Sequence, residues 1–477
     1  MRQDVNEIKK VMDMHQYSLD SIIADMLKLF NFKSLCWQAG CRKHDGYSVT
    51  QVISILLMLP FMMVSTIGAF YRSTYVSMTP MKKDVFYRLQ NMERMPWRQL
   101  LFQVAKKFQA LANPTKTIAN NSAFIVDDTV DCRVGRRIEG TSIVNDHTTG
   151  KSRLGFKHLF LGIFDGISFS PLDFSIHSEK KLCRRQQEEQ YKKLVNKKTN
   201  GFKRRKELRI DKITNALTLI KRAVKKGFVA RYVLADSWFG SLKFIQTVRS
   251  IKNGLLHVIC GVRNDKRKYQ YKGKSLNSKE LRNELDAESA AKRSRKWNTR
   301  YYEVVVFYEG IGDVKLYICR FPYQKKWRVF LSTDTSLTFT QMMEVYSVRW
   351  TIEVFFREAK QRLRMGKCQS RDFDAQIASL TFVCILYILL SYHRRIEDYE
   401  TLGGVFTAIS QDVCQKNMAE RLWELFEDFL LTVINIMSRS GAVDITLFKD
   451  SPEYKYLKGL FEDSFLGNQL LSIDNAS

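Results

Sequence analysis

The sequence predicts an α/β protein in which a mixed sheet with flanking helices lies between two helical regions. Two short β-like runs, Phe124–Asp128 and Tyr232–Asp236, each end in aspartate, and further β-like runs follow both of them. Helical periodicity fills residues 1–115 and returns after residue 397. The order of these patterns assigns the sheet to the middle of the chain.

The composition favours a folded protein with a polyanionic partner. The chain has 477 residues, of which 45% are hydrophobic and 12% aromatic. That length exceeds one hydrophobic core, so we expect two to four structural units. The formal net charge is +28. Because so large an excess destabilises a compact protein unless a polyanion neutralises it, the charge favours a nucleic-acid partner over an ordinary basic surface.

Residues 1–115 are predicted to form a helical DNA-binding region. Its candidate helices are broken near Gly46 and at Pro80 and Pro96. A change to β-like patterns after Asn113-Pro114 sets the end of this region. The candidate helices are Leu19–Leu29, Val49–Thr66, Lys83–Asn91 and Trp97–Leu111.

Neither secretion nor membrane insertion is expected. The nine cysteines form no Cys-x-x-Cys pair and are interpreted as reduced, intracellular thiols. Residues 1–10 alternate charges and lack the apolar segment of a signal peptide. The apolar stretches Ile53–Ile67 and Ile377–Tyr392 are shorter than the roughly 20 residues that span a bilayer, so we predict buried helices there. A cytoplasmic protein follows.

Residues 116–396 are predicted to form the second domain, built on the mixed sheet. Two runs separated by Asp165-Gly166 predict a hairpin beside the first strand, and a β-rich insertion is predicted at about 264–326. A long helix is predicted at Phe339–Leu363. The further predicted strands are His158–Phe164, Leu172–His177, Leu255–Val262, Tyr301–Tyr308, Val314–Arg320 and Trp327–Ser332.

The charges are unevenly distributed. Residues 179–231 contain nineteen Lys and Arg against five Asp and Glu, whereas residues 397–477 contain six against fourteen. Half of the cations in the basic tract are assigned to solvated helix surface and the rest to a nucleic-acid backbone. The acidic helical tail 397–477 is expected to contact protein, either as a dimer face or by packing on the protein's own core. Its apolar residues are Leu422, Trp423, Leu425, Phe426, Phe429 and Leu430.

Carboxylates end two of the predicted strands, since Asp127-Asp128 follow one and Asp236 ends another. Neighbouring strands can hold such side chains close together, and Mg²⁺ takes a few carboxylates together with a substrate phosphate. An aspartate at a strand end also caps helices and opens turns, which is the alternative for each one alone. Asp127 and Asp128 point to opposite faces of a strand, so only one of them can reach a shared metal site.

A helical segment supplies a third carboxylate. Four of its residues lie at offsets of 0, 3, 7 and 14, which is about one, two and four turns from the first, so they share one helical face. They are Tyr346, Arg349, Glu353 and Lys360. Such a face can bind a metal ion and hold phosphates beside it. The alternative is an exposed face with ordinary ion pairs between neighbouring turns.

The spacing Tyr-x2-Arg-x3-Glu-x6-Lys resembles the signature of the DDE transposases of bacterial insertion sequences, and all four positions match it. Asp128-Thr129 after the first strand and Asp236 after a later one resemble the other acidic motifs of that family. The resemblance covers about residues 115–395. It implies a ribonuclease H-like core that is interrupted by a β-rich insertion before the helix that carries the glutamate.

By this resemblance, Asp128, Asp236 and Glu353 would be the catalytic residues and would bind two Mg²⁺ ions, with Mn²⁺ as a substitute. Asp127 is the alternative to Asp128, but the Asp-Thr motif favours Asp128. Glu358 is the alternative to Glu353, but its spacing from Arg349 does not match the signature.

The same resemblance implies how DNA would be held. Tyr346, Arg349 and Lys360 would contact DNA phosphates near the cleaved bond. A base flipped out of the DNA end would stack on Trp297 or Trp350, whose alternative role is packing in the core. Trp238, next to Asp236, is interpreted as a packing residue.

The implied function is cleavage of DNA at the ends of a mobile element, followed by transfer of the freed 3′-hydroxyl into target DNA. The partners would be double-stranded DNA and a second copy of the chain, which pairs the two ends in the bacterial cytoplasm. A catalytically silent DNA-binding regulator and a nuclease that cuts without joining are the alternatives. A recombinase with a nucleophilic tyrosine is disfavoured, because it needs an activated tyrosine surrounded by Arg and His, and the chain has only seven histidines.

Overall fold

The computed structural model describes residues 22–415, except 44, 65, 74, 77, 78, 116, 147, 148, 180–183, 264, 266, 323 and 325; after residue 415 it describes 430, 431, 434 and 452. The helices are α1 (Ile22–Leu29), α2 (Phe32–Ala39), α3 (Val49–Met58), α4 (Ile67–Phe70), α5 (Lys83–Gln90), α6 (Trp97–Ala112), α7 (Arg184–Glu189), α8 (Asn200–Glu207), α9 (Lys212–Lys225), α10 (Leu242–Ser250), α11 (Ser278–Ala287), α12 (Phe339–Ser347), α13 (Trp350–Gln361), α14 (Phe373–Ile396) and α15 (Leu402–Gln415). The strands are β1 (Ala123–Cys132), β2 (Ser142–Asp146), β3 (Lys151–Phe164), β4 (Phe169–His177), β5 (Tyr232–Ala235), β6 (His257–Val262), β7 (Lys268–Tyr271), β8 (Lys274–Asn277), β9 (Lys292–Ser294), β10 (Thr299–Tyr308), β11 (Gly312–Arg320) and β12 (Arg328–Ser332).

The described residues fall into two compact units. One is drawn from residues 1–32, 45–87 and 397–477, and the other from residues 33–44 and 88–396. The sequence set a boundary at residue 115, whereas α6 belongs with the second unit and packs on α14 and β4. The predicted division into DNA-binding, catalytic and C-terminal regions, with their separate roles, stays a prediction.

The first unit is helical in its described part. The Ser48 side chain accepts a hydrogen bond from the Gln51 amide and begins α3 with a capping box. The sequence predicted that this helix continues to Thr66, but it ends at Met58, because Pro60 has no amide hydrogen and restricts the residue before it. α15 packs against α1. Of the six tail residues predicted for a dimer face, all but Leu430 lie outside the described residues.

The second unit is built on one mixed sheet with the order β2-β3-β1-β5-β6-β12-β11-β10-β7-β8. β4 pairs with β3, and β9 pairs with β10. The central pairs β1–β5 and β5–β6 are parallel. β3 and β4 form the predicted antiparallel hairpin. The α/β fold with a mixed sheet is therefore confirmed, and strands β7 to β11 lie in the predicted insertion.

Helix α14 is the main apolar support of the sheet. It is long and apolar enough to cross a membrane by length and composition alone, but 94% of its most apolar window is buried inside the protein. Trp97 of α6 packs edge-on against Phe382 of α14, with ring centroids 5.3 Å apart. Burial on nearly all sides explains why the segment has no polar face, as the sequence predicted.

Part of the basic tract 179–231 lies inside the protein. Arg98 contacts Asp173 at 2.7 Å and Glu207 at 2.8 Å, and Arg222 contacts Glu207 at 2.9 Å. Arg205 contacts Asp374 at 2.9 Å. The assignment of the tract's cations to solvent or to nucleic acid is thus wrong for Arg205 and Arg222. Buried carboxylates require internal counter-charges, and these arginines supply them.

We expect Asp173→Asn to lower the free energy of unfolding by about 3 kcal/mol or more, because Asp173 is fully buried and its loss leaves Arg98, Arg204 and Arg222 with Glu207 as their shared counter-charge. Urea denaturation of both proteins measures the difference. The matched control is Glu344→Gln, which breaks the exposed pair with Lys296 and should change the free energy of unfolding by less than about 1 kcal/mol. Equal effects of the two substitutions would contradict the structural role of Asp173.

His177 makes the stability of the fold sensitive to acid. Its Nε2 lies 3.1 Å from the Ser175 hydroxyl and 3.2 Å from the Asn215 amide nitrogen. Burial, helped by the nearby Lys212 cation, lowers the pKa of His177 from 6.5 to about 4. Because the folded pKa lies below the unfolded one, unfolding takes up a proton as soon as the pH falls below about 6.5.

Stability contributed by neutral His177 is therefore intact above pH 6.5 and is lost as the pH falls to about 4, by roughly 3 kcal/mol in all. We expect His177→Gln, which cannot be protonated, to flatten the decline of the free energy of unfolding over that interval. Urea denaturation at half-unit pH steps compares the two slopes. Parallel curves for the variant and the parent protein would count against this origin of the acid sensitivity.

Candidate functional site

The two central parallel strands bring Asp127 and Asp236 together. β1 and β5 pair in register, with Val126 opposite Ala235. Asp127 follows Val126 and Asp236 follows Ala235, and neighbouring strands lie about 4.8 Å apart. The two acids therefore lie beside each other at the centre of the sheet. Asp236 follows β5 directly, but Asp127 lies in the middle of β1, which continues to Cys132 along β3, so the prediction that this strand ends in its acids is wrong.

Helix α13 adds Glu353 to this pair through Arg349. The Arg349 guanidinium donates from Nη1 to Asp127 Oδ2 at 2.8 Å and from Nη2 to Glu353 Oε1. One side chain thus joins the strand β1 to the helix across 222 residues of sequence. The cation lies between two acids that would otherwise repel each other.

Burial dominates the ionisation of Asp127. It raises the pKa of Asp127 to about 7, against the opposing effect of the Arg349 cation, and the negative charges of Asp236 and Asp128 add to the rise. A buried carboxylate beside further acids has a strong demand for positive charge. Among the described acids of β1, Asp127 is therefore the one that lies near both Asp236 and Arg349.

Asp128 faces the other side of the sheet. Its Oδ1 accepts a hydrogen bond from Lys212, and its Oδ2 lies 3.7 Å from the Lys157 amine. This is the consequence of alternation along a strand. Of the two adjacent acids that the sequence left open, the contacts bring Asp127 and not the favoured Asp128 to Arg349 and Glu353. The match to Asp-Thr favoured Asp128, which precedes Thr129, but the contacts place Asp128 with Lys212 and Lys157 instead.

The segment predicted as one helix, Phe339–Leu363, is two. α12 ends at Ser347, and α13 begins at Trp350. Between them the amide of Arg349 donates to the carbonyl of Tyr346, three residues back, instead of four. The Ser347 and Thr351 hydroxyls each donate to a carbonyl three residues earlier, which competes with the regular helical pattern. This tighter turn carries Arg349.

Tyr346 and Lys360 are engaged within the protein. The Tyr346 hydroxyl donates to the carbonyl oxygen of Ala235 at 3.4 Å, and burial raises the pKa of Tyr346 to about 12. The Lys360 amine donates to Thr129 Oγ1 at 2.6 Å. Tyr346 thus contacts the residue before Asp236, and Lys360 contacts β1 two residues after Asp127. Their predicted contacts with DNA phosphates, like that of Arg349, stay predictions.

The remaining candidates differ in exposure. Trp350 is 61% exposed at the start of α13. Trp297 lies in the turn between β9 and β10, and its indole nitrogen is buried without a hydrogen-bond partner among the described residues. Glu358 pairs with Arg357 at 3.3 Å, away from Asp127. Trp350 is thus the more accessible surface for stacking, and base stacking by either tryptophan stays a prediction.

The turn after β5 fixes Asp236. Asp236 Oδ1 accepts hydrogen bonds from the amides of Trp238 at 2.9 Å and Phe239 at 3.3 Å. A Cβ atom at Gly240 would lie 2.6 Å from the carbonyl oxygen of Gly261 on β6. Only glycine allows this approach, so the turn is held tightly against the sheet.

The donor set suits a hard divalent cation. Asp127, Asp236 and Glu353 offer carboxylate oxygens, which Mg²⁺ prefers. Among the residues that the structure describes, however, no group of three or more His, Cys, Asp or Glu side chains is close enough to hold a metal ion. Arg349 supplies positive charge at that point instead. Binding of a divalent metal ion by these three carboxylates, which would require Asp127 and Glu353 to exchange Arg349 for the ion, stays a prediction.

A mixed sheet with acids on adjacent central strands, and a third acid on a packed helix, is the arrangement of a ribonuclease H-like fold. Residues 208–389 match the family model of the transposase DDE domain, and residues 61–281 match that of the DDE superfamily endonuclease. The chain is thus similar to the transposases and endonucleases of the DDE superfamily over these two ranges, each less than half of its length, and its α/β core is ribonuclease H-like. No curated protein matches the chain at a significant level.

Two residues beside Asp128 were not predicted from the sequence. The amines of Lys212 and Lys157 both approach the Asp128 carboxylate. Lys212 was hidden because it lies in a tract rich in cations. One signal could have singled it out: it directly follows Asp211, the N-cap of α9, where the helix dipole disfavours a cation.

We expect Arg349→Met to bind Mn²⁺ in the absence of DNA about tenfold more tightly than the parent protein, a change of roughly 1.4 kcal/mol, because a competing cation is removed from between Asp127 and Glu353. Isothermal titration calorimetry measures the affinity. The control is Arg357→Met on the same helix, whose side chain is 57% exposed. Weaker binding by Arg349→Met would mean that the guanidinium orients the two carboxylates and does not compete with a metal ion.

Proposed function

We propose that this protein is an insertion-sequence transposase that cleaves DNA at the ends of its element and transfers the freed 3′-hydroxyl into target DNA. Its similarity to the DDE transposase and endonuclease families supports a transposase-type nuclease acting on DNA. The observation that carries the proposal is the Arg349 bridge, which joins an acid on a central strand to an acid on the signature helix.

The proposed catalytic acids and metal ligands are Asp127, Asp236 and Glu353. Asp127 replaces Asp128 in this role, because Arg349 contacts Asp127 whereas Asp128 is occupied by lysines on the opposite face. When bound, two Mg²⁺ ions, or Mn²⁺ in their place, would activate the attacking oxygen and stabilise the leaving oxygen. Strand β1 positions Asp127, the turn after β5 positions Asp236, and α13 positions Glu353.

Arg349 has two roles in this proposal. Without DNA it neutralises Asp127 and Glu353, and in the loaded site its planar fork is free to hold a phosphate beside the cleaved bond. Lys360 of α13 adds a second cation on the side of β1 that Arg349 contacts, where it donates to Thr129. Tyr346 holds the end of β5 in position through its bond to Ala235. The exposed face of Trp350 is available for an extruded base.

Double-stranded DNA is the proposed substrate, and a homodimer is the proposed assembly, because synapsis holds two element ends together. The positive charge of the chain favours this partner through contacts with the phosphate backbone. The cytoplasm of a bacterial cell, where the nucleoid lies, is the proposed location.

We expect Asp127→Asn, Asp236→Asn and Glu353→Gln to abolish Mg²⁺-dependent cleavage of end-labelled element DNA while leaving end binding intact, because each removes one metal-binding charge. Asp128→Asn should retain measurable cleavage, reduced by about 10- to 100-fold, since Asp128 acts from outside the ligand set. Denaturing gels record the cleaved strand, and gel shifts record binding.

A supercoiled target plasmid in the same reaction distinguishes the alternatives. Joined products support a transposase, and cleavage without joining supports a nuclease. Retention of cleavage by Asp127→Asn, with complete loss in Asp128→Asn, would assign the ligand to Asp128 instead. Absence of any Mg²⁺- or Mn²⁺-dependent cleavage by the parent protein would leave the DNA-binding regulator as the better account.

A further inference from the structure

We infer that Lys212 is a positioning residue which, together with Asp128 and Trp238, holds the middle of β1 against the turn after β5, so that Asp127 and Asp236 are held for divalent metal binding. The inference rests on the proposed function and assigns a role to the face of the sheet opposite Arg349.

Lys212 contacts the neighbours of both proposed ligands. Its amine donates to Asp128 Oδ1 and lies 3.7 Å from the centroid of the Trp238 ring. Asp128 follows Asp127 directly, and the Asp128 amide donates to Asp127 Oδ1 at 2.8 Å. The Trp238 amide donates to Asp236 Oδ1 at 2.9 Å. Lys212 thus contacts the residue next to Asp127 in sequence, and it contacts the ring of the residue whose amide bonds to Asp236.

The position of Lys212 is unfavourable for α9 itself. It is the first residue of the helix, after the N-cap Asp211, and a cation there interacts unfavourably with the helix dipole. Contacts outside the helix must offset this cost. The ion pair with Asp128 and the cation–π contact with Trp238 do so.

Lys212 is poorly placed to contact DNA, since only 11% of its side chain is exposed and that of Asp128 is 14% exposed. Lys157, which also approaches Asp128, is 2% exposed and pairs with Glu179. The cluster therefore acts through geometry within the protein. Outer contacts of this kind change metal affinity or activity by about 10- to 100-fold in other metal sites.

The test compares Lys212→Met with Lys212→Arg in the full chain. We expect Lys212→Met to raise the Mg²⁺ concentration that gives half-maximal cleavage by about tenfold or more, and to weaken Mn²⁺ binding without DNA, measured by calorimetry, to a similar extent. Lys212→Arg keeps a cation that can pair with Asp128 and cover Trp238, so it should restore both values to within about threefold. Binding of element ends should be unchanged in both variants.

Lys221→Met is the matched control, because it removes an exposed lysine from the same helix. A parent protein that cleaves, and a Lys212→Met variant with unchanged Mg²⁺ dependence and Mn²⁺ affinity, would overturn the inference while leaving the proposed function intact. So would a weaker salt dependence of end binding in Lys212→Met, which would identify Lys212 as a phosphate contact. A parent protein with no metal-dependent cleavage would remove the proposed function itself.

Discussion

Strand β1 lies between β3 and β5, so each of its side chains must face one of the two sides of the sheet. On one side, Asp127 and Thr129 meet the cations of α13 and the turn before it. On the other, Asp128 meets Lys212 of α9. Two adjacent acids are thus separated by the sheet, and each needs its own counter-charge because an unpaired buried carboxylate is unstable. The positions of Arg349 and Lys212 follow from this single constraint.

The large positive charge of the chain therefore has two uses. Some arginines, such as Arg98 and Arg222, neutralise Asp173 and Glu207 inside the protein. Others remain available to a polyanion. Composition alone cannot separate these uses, because a buried arginine and a DNA-binding arginine contribute equally to net charge.

The sequence predicted the mixed sheet, the hairpin, the insertion and most strands, because strong alternation and apolar runs determine them locally. It did not predict α11, which a capping box at Asn277 begins within a polar stretch. It also merged α12 and α13, since hydroxyl contacts with carbonyls are not visible in periodicity. At the site, it identified all the acids but preferred Asp128, because the face that each residue takes depends on partners 84 and 222 residues away.

The insertion continues the same hydrogen-bonded ladder as the core. β6 pairs with β12, β12 with β11, β11 with β10, and β10 with β7. A domain joined by a flexible linker could swing, but a continuous sheet deforms only by twisting and bending as a whole. The turn that carries Trp297 is therefore stiffly coupled to the central strands. If a duplex end contacts this turn, as the proposed stacking on Trp297 would require, the DNA would have to adjust its shape, and its sequence-dependent flexibility would then contribute to selectivity.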